Sequence, residues 1–89
     1  MVREWPEWWE WELDLTAHLL KRMLDRQFTE IDLRRMLEHA RDLRVDIVEG
    51  RWVVVTRHAG SPWEVVVEPD LEERILIVVT AYPVEGLLR

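Results

Sequence analysis

Two separated stretches of the chain carry the side chains best suited to chemistry. They are His18-x-x-x-Arg22-x-x-x-Arg26 near the start and Thr80-Ala81-Tyr82 near the end. Residues four apart share a helix face, so the first stretch stacks an imidazole and two guanidinium groups on successive turns. Residues two apart share a strand face, so the second puts a hydroxyl and a phenol on one side of a strand. Together these groups would serve proton transfer and anion binding. Cleavage of RNA through its 2′-hydroxyl needs a base for that hydroxyl, an acid for the departing 5′-oxygen and cations for the charge growing on phosphorus. His18 suits either proton-transfer role, and the first turn of a helix favours a nearby anion. Arg22 and Arg26 suit a bidentate phosphate clamp. Tyr82 suits proton donation or base stacking, and Thr80 a hydrogen bond to a phosphoryl oxygen. Arg57, near the end of another strand, can join them. The set requires neither a metal ion nor a cofactor.

A plainer reading stands beside this one. A histidine followed four residues later by an arginine usually marks a solvated helix face, with Arg22 paired to Glu12, Asp14 or Asp25. Threonine and tyrosine are favoured in any strand. His39 reads as a dipole partner at a helix C-terminus and His58 as a turn residue. The three histidines lack metal-ligand spacing, and Glu68, Asp70, Glu72 and Glu73 read as a solvated loop.

The elements that must position these groups follow from patterning. Trp9-Glu-Trp-Glu-Leu-Asp-Leu15 alternates apolar and acidic residues, as a half-buried strand does. Thr16 suits the N-cap of a helix over about 17–27. Thr29-Glu-Ile-Asp32 resembles a capping box opening a second helix to about Arg41, with Ile31, Leu33, Met36, Leu37 and Ala40 as its buried stripe. The short connection between the helices makes them an αα-hairpin. Val45–Val48, Arg51–Arg57, Trp63–Val67 and Arg74–Tyr82 are β-branched runs separated by turn residues, which predicts four antiparallel strands. The reading is one α+β domain over residues 1–89, β-α-α-β-β-β-β, with the αα-hairpin on one face of an antiparallel sheet. Residues 1–8 form a Trp-rich N-terminal extension. Several strands are apolar at both parities, so cover is expected on both sheet faces, the second supplied by strand curvature and the Trp-rich N-terminus, or by a partner protein or a second copy. The clustered Trp5, Trp8, Trp9 and Trp11 suit an interface or a core equally.

Composition bounds the partners. Eighty-nine residues make one domain, 34% charged and 48% hydrophobic, which argues against disorder. There is no cysteine, so no disulfide or thiolate site exists. No secretory signal or long apolar run is visible, and a cytoplasmic protein with no membrane partner is expected. The net charge of −6 is unevenly spread. Residues 16–44 hold seven Lys/Arg against five acids, whereas residues 45–89 hold four against eight. The only net-basic segment is thus the one that contains His18, where a phosphate would be drawn.

The order of these pieces resembles a family of small bacterial proteins grouped with the RelE-like toxins, inside the barnase–EndoU–colicin–RelE superfamily of metal-independent RNases. The resemblance rests on Leu13-Asp-Leu-Thr-Ala-His18-Leu-Leu-Lys-Arg22-Met-Leu-Asp-Arg26, the hairpin glycine in Glu49-Gly50-Arg51, and Ile77-Val78-Val79-Thr80-Ala81-Tyr82. It spans about residues 12–83. It implies a cleft lined by His18, Arg22, Thr80 and Tyr82 with Arg26 at its margin, an RNA rather than DNA substrate, and a small antitoxin protein as partner. The single lysine, Lys21, excludes a lysine-rich site. The expectation is a toxin-like endoribonuclease of a toxin–antitoxin system. The alternatives are a non-catalytic protein-binding module and a structural homodimer.

Overall fold

The computed structural model describes residues 5–84. Pro6 leads into a 3₁₀ turn, Glu7–Glu10, and then strand β1, Glu12–Leu15. Helices α1 (Ala17–Arg26) and α2 (Glu30–Glu38) follow. Strands β2 (Asp42–Val45), β3 (Trp52–His58), β4 (Ser61–Asp70) and β5 (Ile75–Pro83) complete the β-α-α-β-β-β-β order. The α+β class read from the sequence is the observed one.

Both helix starts follow from their caps. The Thr16 hydroxyl accepts from the Leu19 N–H at 3.0 Å. Thr29 and Asp32 form a reciprocal capping box, with bonds of 3.1 and 2.9 Å. Helix α1 ends where Gln27 takes the left-handed conformation at φ 56° and its N–H donates to the Met23 carbonyl. The Asp32 carboxyl lies below its usual pKa because it accepts from the Thr29 backbone and hydroxyl.

The sheet order is β1-β5-β4-β3-β2. Strands β2 to β5 form the expected antiparallel meander, but β1 lies beyond β5 and runs parallel to it, Glu12 opposite Ile75 and Leu15 opposite Val78. The sheet is therefore mixed at this edge. Parallel neighbours need a long crossover, and here the crossover is both helices and three strands. Turn chemistry cannot reveal such a pairing, because no turn joins the two strands.

Two strand boundaries also differ from expectation. The alternation from Trp9 predicted a strand at once, yet Trp8 to Glu10 form a 3₁₀ turn and pairing begins at Glu12. That turn swings Trp8 into the core against Trp52, with ring centroids 5.6 Å apart. The first meander strand is Asp42–Val45 rather than Val45–Val48. Asp46 N–H donates to the Arg51 carbonyl and Arg51 N–H to that of Val48, so Ile47 and Val48 are turn residues. Ile47 is 97% exposed; Leu43 is the strand's core-facing residue.

One core lies between the helices and one face of the sheet. Leu19, Phe28, Leu33, Met36 and Leu37 from the helical half pack on Val54, Trp63, Val65, Val67, Leu76, Val78 and Ala81. Buried Thr56 donates to the Met36 carbonyl at 2.6 Å, fastening α2 to β3. The opposite face carries no element among the described residues. Its central Val53 and Val66 are buried all the same, while Val55, Ile75 and Ile77 stay half-exposed. Long neighbours shelter them: Arg44 bridges to Glu64 at 3.1 Å and Arg51 to Glu68 at 3.0 Å. The Trp-rich segment does not cover that face, because Trp8 belongs to the helix-side core. Residues 1–4 of the expected extension lie outside the described residues.

Candidate functional site

The site is built where α1 meets the far half of β5. After Leu15 the chain leaves the sheet, and α1 takes the place beside β5 that a longer β1 would have filled. Two side chains of α1 bond the carbonyls of β5: Thr16 Oγ1 donates to Val79 at 3.0 Å and Arg26 Nη1 donates to Ala81 at 2.9 Å. These bonds bring the two stretches singled out in the sequence together. Because residues 18, 22 and 26 share one helix stripe, the bond from Arg26 turns that stripe toward the β5 edge.

A β-bulge decides which side chains that edge presents. Val66 pairs with Thr80 and Val67 with Val78, so Val79 is an extra residue. Val78 and Ala81 are three apart yet both fully buried in the core, which strict alternation forbids. The bulge reverses the parity of the strand, and Thr80 and Tyr82 thereby face the open side of the sheet.

Tyr82 is half-buried there and donates its hydroxyl to Glu64 Oε1 at 2.8 Å, the residue opposite it on β4. Glu64 also holds Arg44. Burial pushes the phenol up to about 12, with the hydrogen bond and the charge of Glu64 adding to it. Tyr82 is thus a neutral donor at physiological pH. Its Arg44–Glu64–Tyr82 chain was not foreseen, although Glu64 is the one charged residue in the apolar run Trp63–Val67.

The other residues fall as follows. His18 is exposed on the first turn of α1 and makes no hydrogen bond or ion pair among the described residues. Arg22 pairs with Asp25 at 3.5 Å, one of the acids named for the plainer reading. No side-chain bond joins His18 or Arg22 to Thr80 or Tyr82. Arg57 shares the open face, one row from Glu64 and Tyr82, and donates to the Gly60 carbonyl of its own hairpin at 2.9 Å. His39 caps the end of α2, as expected. His58 is not a free turn residue but closes β3, its ring 5.2 Å from Trp63 and 6.4 Å from Phe28.

Among the described residues no cluster of three or more His, Asp or Glu side chains could hold a metal ion. Among the same residues no helix is long and apolar enough to cross a membrane. A concavity of ≈ 530 Å³ lies on the helix side, lined by Trp9, Trp11, Leu13, Ile31, Arg35 and Leu76 among others. It holds none of the residues singled out for chemistry.

What these features define is a small α+β domain whose first helix is clamped to a bulged last strand. Within that class, residues 15–83 match the family described as a domain of unknown function, DUF4258, and the chain belongs to it. The match opens at Leu15 and closes at Pro83, and so includes all six candidate site residues. No curated protein and no solved structure matches the chain.

Proposed function

We propose that this protein is a toxin-like, metal-independent endoribonuclease of the RelE-like kind, acting in a toxin–antitoxin pair. The observation that carries the reading is the clamp of α1 on β5. Thr16 and Arg26 bracket His18 and Arg22 on the helix, and their acceptors, Val79 and Ala81, bracket Thr80 on the strand. A phosphodiester seated at this edge would meet the α1 N-terminus, the Arg22 and Arg26 guanidinium groups and the Thr80 hydroxyl.

The chemistry divides between two groups. His18 takes the proton of the 2′-hydroxyl, which attacks phosphorus. The bond to the 5′-oxygen breaks, leaving a 2′,3′-cyclic phosphate, and Tyr82 supplies the proton to the departing oxygen. A phenol near 12 still protonates an alkoxide leaving group, a much stronger base. The phenolate then recovers a proton from water, His18 releases to water the one it took, and the restored phenol donates to Glu64 again. Arg22 exchanges its long contact with Asp25 for the phosphate.

The test is incubation of the pure chain with total RNA in the presence of a chelator. Cleavage to cyclic-phosphate ends is expected, falling by at least about a hundredfold in His18→Ala and Tyr82→Phe. Intact RNA with the wild type, with or without ribosomes, ends the nuclease reading. The second reading, a non-catalytic binding module, would then gain. It is favoured by the uncovered face of Val55, Ile75 and Ile77, on which an antitoxin or other protein would sit.

A further inference from the structure

Next to the α1–β5 site, the same edge of the sheet is strand β1. Among the described residues β1 has a neighbour on one side only, β5. The Thr16 N–H donates to the Val78 carbonyl, and backbone groups two residues apart along a strand point the same way. Glu12 and Asp14 therefore turn their N–H and C=O toward β5, while Leu13 and Leu15 turn theirs outward. This is an open edge that can accept a further strand.

The two sides of the edge differ in chemistry. On the open face stand Glu12 and Asp14, both exposed and neither bonded nor paired among the described residues. On the helix side Leu13 adjoins the ≈ 530 Å³ concavity, whose walls include the half-buried Trp9 and Trp11 and the 65% exposed Ile31. The charges lining it, Arg34 and Arg35 against Glu10 and Glu38, balance in sign. The helix side thus favours apolar side chains and the open side favours cations. We propose that β1 docks an extended segment of another protein whose residues alternate apolar and basic, added as a sixth strand. Side chains of an added strand fall alternately on the two faces. Those beside Leu13 enter the concavity against Trp11 and Ile31, and those beside Glu12 and Asp14 form cross-strand ion pairs with them. The outward groups of Leu13 and Leu15 supply the backbone bonds. The β1 of a second copy does not fit this edge. Every register that keeps the apolar residues on one face sets Glu12 and Asp14 against the same two acids. The docking uses no group of the proposed nuclease chemistry and stands whether or not the chain cuts RNA.

The probe is a fluorescein-labelled peptide of about six residues, one strand in length, that alternates valine and lysine. Its fluorescence anisotropy is expected to rise with the concentration of the wild-type chain. A peptide of the same composition with valines and lysines in separate blocks, and one with glutamate in place of lysine, should bind at least about tenfold more weakly. Backbone methylation separates strand addition from charge attraction. Methylating the nitrogens of all the valines in one probe and of all the lysines in another should abolish binding of one and spare the other, because only alternate N–H groups face β1. Glu12→Lys combined with Asp14→Lys should reverse the preference, taking the glutamate probe over the lysine one, which also shows that the variant is folded. Ile31→Ser, at an exposed wall of the concavity, should weaken the lysine probe severalfold. A wild type that ignores the alternating probe overturns the proposal. So does equal binding of the blocked peptide, a pair of methylated probes that behave alike, a charge-reversed variant with unchanged preference, or an Ile31→Ser variant that binds as the wild type does.

Discussion

Tyr82 is the only tyrosine of the chain, so its titration can be followed alone by tyrosinate absorbance. Burial and the bond to Glu64 raise it from 10.0 to about 12. A phenol whose folded pKa is raised binds its proton more tightly in the folded state. The stability it contributes is complete below pH 10 and is lost as the pH climbs from 10 to about 12. Glu64→Gln removes the charge and leaves the burial, so the titration is expected to move down toward 10.0 without reaching it. The same substitution frees Arg44. A titration that stays near 12 in Glu64→Gln would show that the carboxylate contributes nothing. His18 stands in contrast, exposed and without a bonded partner among the described residues, which leaves its two nitrogens open to a substrate. These two residues, one restrained and one free, are the pair on which the proposed chemistry turns.

At the scale of elements, the joint between α1 and β5 rests on Thr16. Its hydroxyl accepts from Leu19 N–H and donates to Val79, so one oxygen both starts the helix and fixes it to the strand. Thr16→Val keeps the branched shape and removes both bonds. A loss of about 1–2 kcal/mol is expected in urea unfolding, with most of it restored in Thr16→Ser. If the joint also positions His18, Thr16→Val should lower RNA cleavage by more than its effect on stability explains at a temperature where it is fully folded. A variant with unchanged stability would deny the joint its role. The bulge at Val79 is the other half of this device, since it turns Thr80 and Tyr82 outward while Ala81 stays under Arg26.

Across the whole molecule, the helix-side core supplies most of the burial and the hairpin tips almost none. Leu33 of α2 is fully buried, whereas Ile47 is 97% exposed. Leu33→Ala is expected to cost about 2–5 kcal/mol, a large share of the stability of so small a domain. Ile47→Ser should stay within about 0.5 kcal/mol of wild type. Urea titrations of the two variants check both numbers. Equal losses would mean that the β2–β3 tip packs against something within one chain. The open sheet face lies between these extremes. Its acids Glu64 and Glu68 are paired with Arg44 and Arg51, whereas Glu12 and Asp14 of β1 are exposed.

Much of the architecture was legible because local rules governed it. Thr16 and the Thr29–Asp32 box announced both helices, since a cap bonds within four residues of itself. β-Branched runs between turn residues announced the meander, since hairpin neighbours are also sequence neighbours. The strand at Asp42–Val45 was misread because Ile47 and Val48 look like core residues, and only the pairing with β3 shows that they form a turn. By itself the sequence determined the class, the helix starts, the basic segment and the six residues whose types can do chemistry. Tertiary structure alone decided that β1 runs parallel to β5, that Val79 bulges and turns Tyr82 toward Glu64, and that α1 bonds the β5 carbonyls. Each of these joins residues 11 to 63 positions apart, and sequence spacing carries no information about such contacts.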